Sequence, residues 1–186
     1  MCKLCETKPV YEFTNKRKLC ARCFVRWFQK KVLYAIRKFR MIKSGDIIGY
    51  NKSNDFKSVV LENVLKMFAE KGNVKIVKLP SKKKINKIVV FSTIDSEAED
   101  IVSEIVNGDV KKMENVKPVD KKIIKPLYLF LDKEILLYAK IRKLKFEKIK
   151  NIENKINEFV NKSEKKHPEV KRAIVKGFLK CSNFIN

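Results

Sequence analysis

The sequence predicts an α/β fold entered through an N-terminal four-cysteine zinc finger. Behind it come a layered domain of short strands alternating with helices, and a helical final third. Three observations predict this. Four of the five cysteines fall within residues 2–23 as two C-x2-C pairs, Cys2/Cys5 and Cys20/Cys23. Short apolar runs at 46–50, 73–79 and 88–92 are separated by segments of helical periodicity. From about residue 132 onward the helical period dominates.

The opening stretch, MCKLCETKPVYEFTNKRKLCARCF, spaces its cysteines as C-x2-C, fourteen residues, then C-x2-C. That lies just below the usual window of about 15–20 residues for a four-cysteine zinc site. A C-x2-C turn sets two thiolates on one side of a bend, and a second pair completes a tetrahedron around Zn2+. Such a site is closed, so the expected ion holds the fold and leaves no position for substrate. Two disulfides are the alternative, but no apolar leader points to an oxidising compartment.

The next segment, ARCFVRWFQKKVLYAIRKFRMIK, reads as a helix over 21–43. At 100° per residue, Phe24, Val25, Phe28, Val32, Ala35, Ile36, Phe39 and Ile42 fall within about 120° of arc. Arg22, Arg26, Lys30, Arg37 and Arg40 fall within about 80° on another side. Residues 1–45 hold 13 Lys and Arg against 2 Asp and Glu. A basic stripe is often only a solvated face, and its stems can cover an apolar edge. Here it leads straight out of the cysteine pairs, which makes it a candidate for phosphate contact.

DIIGY (46–50) is apolar like a buried strand, NKSND is a polar turn, and a helix is expected over 56–70, ending at Gly72. NVKIVKL (73–79) and IVVFS (88–92) read as strands joined by the basic loop PSKKKINK. That loop is short for a parallel crossover, so these two strands form an antiparallel hairpin or one assignment is wrong. Asp95 to Val106 is an acidic amphipathic helix, its carboxylates crowding the favourable end of the dipole, and Gly108 stops it. A loop then leads to IIKPLYLFLDKE. Helices are expected over 132–146, 151–166 and 169–180, the last opened by Pro168. Boundaries near 43/44 and 130/131 divide the chain into finger and basic helix (1–43), layered domain (44–130) and helical region (131–186).

Charge narrows the partners. Lys and Arg number 44 against 21 Asp and Glu, a net charge of +23 over 186 residues. A compact body with that excess repels itself, and a polyanion is its physical complement. No run of 18 apolar residues suggests a membrane span, and a cytoplasmic location is expected.

These parts add up to a resemblance. CKLC…CARCF, TIDSEAED (93–100), NGDVKKM (107–113), IIKPL (123–127), DKEILLYA (132–139) and HPEVKRAIVKGF (167–178) occur in the same order in the tRNA 2-thiouridine synthetase family. These are the PP-loop enzymes that thiolate uridine in tRNA, and the chain resembles them along nearly its whole length. The resemblance implies a reduced PP-loop domain behind the finger, of the adenine nucleotide alpha hydrolase-like kind. It also implies tRNA as partner.

The departures are as informative. The family's ATP loop reads S-G-G-K-D-S, whose glycines let backbone N–H groups approach phosphate. The matching residues here are Asn51, Lys52, Ser53, Asn54, Asp55 and Phe56. Only Asp55 is kept, and side chains replace both glycines. Phe91 and Ser92 stand where the family has Gly and His, with Asp95 kept. Helix N-terminal capping is the simpler role for Asp55 and Asp95. Active relatives use a central C-x-x-C and a further cysteine for an iron–sulfur cluster or for sulfur transfer. This chain has no cysteine between Cys23 and Cys181, and Cys181 stands alone.

The sequence therefore points to a tRNA-binding, catalytically silent homologue of the wobble-uridine 2-thiolation enzyme, acting as an accessory subunit. The expected partner is an active thiolation paralogue or a second copy of the chain. The expected cofactor is a structural Zn2+ on Cys2, Cys5, Cys20 and Cys23, with no iron–sulfur cluster and ATP disfavoured. The alternatives are a residual ATP-dependent tRNA sulfurtransferase and a zinc-ribbon DNA-binding protein. The basic helix carries one Gln and no Asn, thin chemistry for reading bases in a DNA groove.

Overall fold

The structure, a computed structural model, describes residues 1–109, 112–147 and 154–182. Two very short strands, β1 (Tyr11–Glu12) and β2 (Lys18–Leu19), pair as a hairpin that the sequence did not signal. They lead into α1 (Ala21–Lys38), whose buried face is Cys23, Phe24, Phe28, Val32, Ala35 and Ile36. The helix ends five residues short of the expected 43. Arg40 takes a left-handed φ of 48°, and the N–H of Met41 turns back to the carbonyl of Ile36. Met41 then buries completely, so its apolar character continues the core after the helix has stopped.

The main sheet has five strands in the order β4-β3-β5-β7-β6. These are β3 (Ile47–Tyr50), β4 (Lys75–Lys78), β5 (Lys87–Val89), β6 (Val119–Asp120) and β7 (Ile123–Ile124). β3 runs parallel to both β4 and β5, β5 runs parallel to β7, and only β6 is antiparallel. The expected conflict between β4 and β5 thus has a third resolution: they are not neighbours, because β3 lies between them.

The link over 79–86 crosses the sheet directly above β3. A Cβ on Gly49 would lie 3.1 Å from Ile85 Cδ1 and 3.2 Å from Leu79 Cδ2. Glycine at this position lets the short link lie against the strand. Asn86 fixes its far end, accepting from Ile47 N at 2.6 Å and donating to Asp46 Oδ1 at 2.7 Å.

Four more helices complete the fold with α2 (Phe56–Lys71): α3 (Ile94–Asn107), α4 (Asp132–Ile141), α5 (Lys155–Lys166) and α6 (Val170–Cys181). α2 packs on α4, α3 on α5 and α6, and α1 on α4. Gly108, at φ 68°, closes α3 as expected. α4 stops at Ile141, earlier than the expected 146, because Lys143 turns left-handed and Leu144 N bonds back to Ala139 O. Phe146 is then free to meet Phe56 at a ring distance of 6.2 Å. The start of the helix expected over 151–166, the end of the lysine-rich stretch KIRKLKFEKIK (140–150) and the middle of NGDVKKM fall outside the described residues. One cluster of buried side chains runs from Cys2 to Leu179. At its centre Phe28 lies 4.2 Å from Phe130 and 4.1 Å from Tyr138, so finger, sheet and helical third share a core.

Candidate metal centre and nucleic-acid interface

The chain folds the four N-terminal cysteines into one knuckle. Cys2 N donates to Thr7 O and Glu6 N to Cys2 O, which curls the first C-x2-C into a turn. Lys3 N bonds Lys18 O, and this brings that turn against the hairpin. The second pair spans the start of α1: Cys20 is its N-cap and Cys23 sits in the first turn. A helix N-terminus favours negative charge, so these two sulfurs are well placed as thiolates.

All four Sγ atoms lie within 4.8 Å of one another, and Cys2, Cys20 and Cys23 are buried. Cys5 Sγ is 3.4 Å from Cys20 Sγ and 3.6 Å from Cys23 Sγ. Around a single ion with metal–sulfur bonds of about 2.3 Å, tetrahedral thiolates sit about 3.8 Å apart. The spacing therefore fits one tetrahedral ion as it stands. Without a cation the thiols ionise unequally. A hydrogen bond from Thr7 leads in pulling Cys20 down to about 6, while burial and the neighbouring thiols push Cys23 up to about 12. Charges this close need a cation to ionise together.

The knuckle is anchored to the body by rings. Tyr11, Phe13, Phe24 and Trp27 form a contiguous set of contacts, and Trp27 meets Phe130 at 6.0 Å. Beneath them Glu134, fully buried, gathers charge from three directions. It accepts from Tyr11 Oη at 3.1 Å and Arg172 Nη2 at 2.7 Å, and Lys31 Nζ lies 3.5 Å away. Burial, chiefly, holds Lys31 down at about 8.

The basic stripe is where the sequence put it, with one exception. Arg22, Arg26, Lys30 and Arg37 project from α1, all exposed. Arg40 lies past the end of the helix, on the left-handed turn, and does not continue the stripe. The ion pairs of the described residues involve none of these five.

The loop at 51–56, which the resemblance matches to the family's ATP loop, is bonded by its own side chains. Asp55 caps α2, accepting from Lys57 N at 2.8 Å and Ser58 N at 3.0 Å. Ser53 N donates to Ser58 Oγ at 3.0 Å, and Asp55 N to Ser53 Oγ at 3.4 Å. Asp95 does not cap its own helix, correcting the expectation. Thr93 and Ser96 form that cap reciprocally. Asp95 instead accepts from Asp132 N at 2.7 Å, at the start of α4, and from Lys171 Nζ at 2.6 Å.

Sequence reasoning missed a set of buried ion pairs. Lys125 pairs with Glu97, Lys171 with Asp95 and Glu164, and Arg172 with Glu134. All of these but Glu164 fall in motifs that carry the resemblance, and the signal was a charged residue inside an apolar run, as in IIKPLYLF. Cys181, at the end of α6, is exposed and remote in sequence from the knuckle. Among the described residues no helix is long and apolar enough to cross a membrane.

No protein-family model and no curated protein matches the sequence. A solved structure does: the U34-tRNA thiolase NcsA from Methanococcus maripaludis with its [4Fe-4S] cluster. It superposes with a TM-score of 0.77 at 17% identity, covering 100% of this chain and 88% of the thiolase. At that identity the likeness establishes the fold: α/β, of the PP-loop thiolase kind, with a four-cysteine cluster at its N-terminus. It also corrects the cofactor expectation. Four thiolates are a donor set for iron–sulfur centres as well as for zinc, and the thiolase carries a cluster. The exclusion of an iron–sulfur cluster therefore does not stand.

Proposed function

We propose that the chain is a tRNA-binding protein built on the thiolase fold, an accessory subunit of wobble-uridine 2-thiolation that neither activates ATP nor carries sulfur itself. The observation that carries this reading is how the cations are used. Lys57, Lys125, Lys171 and Arg172 are engaged in ion pairs within the fold. Arg22, Arg26, Lys30 and Arg37 stand exposed on one helix and enter none among the described residues. Such a stripe attracts a phosphate backbone by counterion release. The thiolate knuckle, holding a metal centre on Cys2, Cys5, Cys20 and Cys23, sets the angle at which α1 leaves the body.

Catalytic silence is supported by the loop at 51–56: its Ser53 and Asp55 amides bond to Ser58 and Ser53, and its Asp55 carboxylate takes the Lys57 and Ser58 amides of α2. Its partner in the cytoplasm is an active thiolation paralogue or a second copy. Competition binding with total tRNA, duplex DNA and single-stranded RNA at two salt concentrations tests the reading. A tRNA preference that persists at the higher salt supports it. Equal, steeply salt-sensitive binding to all three would leave only a net charge of +23 acting without shape recognition.

A further inference from the structure

Beside the basic stripe, the surface between the knuckle and α1 is hollowed. The groove has a volume of about 580 Å³, within the range of about 300–1,000 Å³ typical of ligand sites. Arg17, Arg22, Arg26, Lys30 and Lys31 line it beside Cys5 and Cys23 of the knuckle, and among the described residues no carboxylate does. The Nε of Arg17 is buried with no hydrogen-bond partner among the described residues, while its guanidinium rests 5.1 Å over the Phe13 ring. A buried donor without an acceptor is costly. In a groove free of acidic side chains, an anionic oxygen from outside is the natural group to meet it.

The aromatic side of the groove is formed by Trp27 and Tyr34. Tyr34 is 54% exposed, unusual for a ring beside a buried helix face. It also borders a second hollow of about 330 Å³ between α1 and α6. Ile94, Leu129, Val175 and Leu179 supply apolar lining there, Lys38 and Lys176 supply cations, and again no carboxylate takes part. The Lys38 ammonium stands 5.6 Å over the Tyr34 ring, which keeps a positive charge beside that ring.

We infer that the groove and the hollow together hold an unpaired stretch of RNA, with phosphate at Arg17 and Arg22 and one base stacked on Tyr34 at the mouth of the apolar hollow. Duplex RNA hides its base faces, whereas an unpaired base presents one to an exposed ring. The inference rests on the RNA-binding reading above and adds which part of an RNA is held, and where.

Trp27 is the single tryptophan of the chain and lines this groove, so its emission reports on the surface around it. The test uses tRNA, a single-stranded oligoribonucleotide of about ten residues (within the usual single-strand site size) and duplex RNA of equal length. Affinity is read by anisotropy, together with Trp27 emission, for the wild type, Tyr34→Ala and Tyr34→Phe. The single strand and tRNA should quench Trp27. Tyr34→Ala should weaken the single strand by about fivefold or more, the lower end of a stacking contribution. Tyr34→Phe should retain affinity, and duplex binding should not respond to either change. If tRNA binds with unchanged Trp27 emission and Tyr34→Ala keeps wild-type affinity, the groove is not the site and general RNA binding survives. If no RNA binds at moderate salt, both readings fall.

Discussion

Lys125 Nζ lies 2.6 Å from Glu97 Oε1, and both side chains are buried. The same ammonium donates to Asn115 O at 2.5 Å, and Ser92 Oγ donates to the same carboxylate. This pair locks the segment after β7 to the first turns of α3, so two of the short motifs that carry the family resemblance hold each other. Asp95 with Lys171, and Glu134 with Arg172, tie the stretches at 93–100 and 132–139 to the one at 167–178. Stretches that look like functional signatures are, in this chain, internal clamps.

Breaking such a clamp from one side should be costly. Lys125→Met leaves Glu97 buried with no cation, and the loss of stability should be about 3–5 kcal/mol. Adding Glu97→Gln should recover part of it, because no buried charge then remains. Urea unfolding of the two variants checks this. Equal stability of Lys125→Met and wild type would show that the pair is solvated in solution.

Glu97 also gives stability a pH dependence of definite sign. Burial outweighs the pull of Lys125 and raises its carboxyl to about 6, above the usual value of about 4.3. The folded chain therefore holds this proton more tightly than the unfolded one. The contribution favours folding below about pH 4.3 and is lost as pH rises through about 6. Glu97→Gln should remove that downward slope between about pH 4.5 and 6. A variant with the wild-type pH profile would assign the slope elsewhere.

Elements with strong local signals were legible in the sequence: the paired cysteines, the amphipathic face of α1, the stop at Gly108. What was not legible depends on distant contacts. The two-residue strands β1, β2, β6 and β7 have too little pattern to announce themselves, and β6 is positioned by pairing with β7. The neighbours of β4 and β5 could not be read because the order of strands is a tertiary choice. Gly49, where the 79–86 link rides over β3, was the one local clue. In the candidate site the basic stripe was readable as far as Arg37, and the turn that removes Arg40 came from the core's demand for Met41. Trp27 and Tyr34, seven apart on α1, fall within about 60° of Lys30 and were readable as neighbours of the stripe, whereas Arg17 lies before the helix and carries no such signal.

Removal of the metal should loosen the knuckle. Chelation is expected to lower the melting temperature, and Cys20→Ser should reproduce that loss and abolish the chelator response, since metal binding here is coupled to folding. Elemental analysis with a labile-sulfide assay identifies the centre: iron with sulfide marks a cluster, metal without sulfide a single ion. A chain whose melting responds neither to chelator nor to Cys20→Ser would have no metal centre at these thiols.

The stripe makes a quantitative prediction. Each phosphate contact contributes about 0.7–0.9 to the slope of log affinity against log salt. Replacing Arg22, Arg26 and Arg37 together by alanine should flatten that slope for tRNA by about 2 to 3. All three are exposed, so the fold should be untouched. An unchanged slope would move the RNA contact off α1.

The loop at 51–56 predicts silence toward nucleotide. In a phosphate-binding loop the first amides of the following helix point at the ligand. Here Asp55 takes the amides of Lys57 and Ser58, and Lys57 Nζ is held 2.7 Å from Asp132. A triphosphate would have to displace a carboxylate that is 6% exposed and already bonded twice. Mg-ATP should therefore leave the melting temperature unchanged, where a real site at a hundredfold excess over Kd adds about 2.7 kcal/mol. Asp55→Ala separates the two roles open to this residue. As a cap it should cost about 1 kcal/mol of stability with or without nucleotide. If wild type is stabilised by Mg-ATP and Asp55→Ala is not, the residue takes part in nucleotide binding and the silence proposed for this loop is overturned.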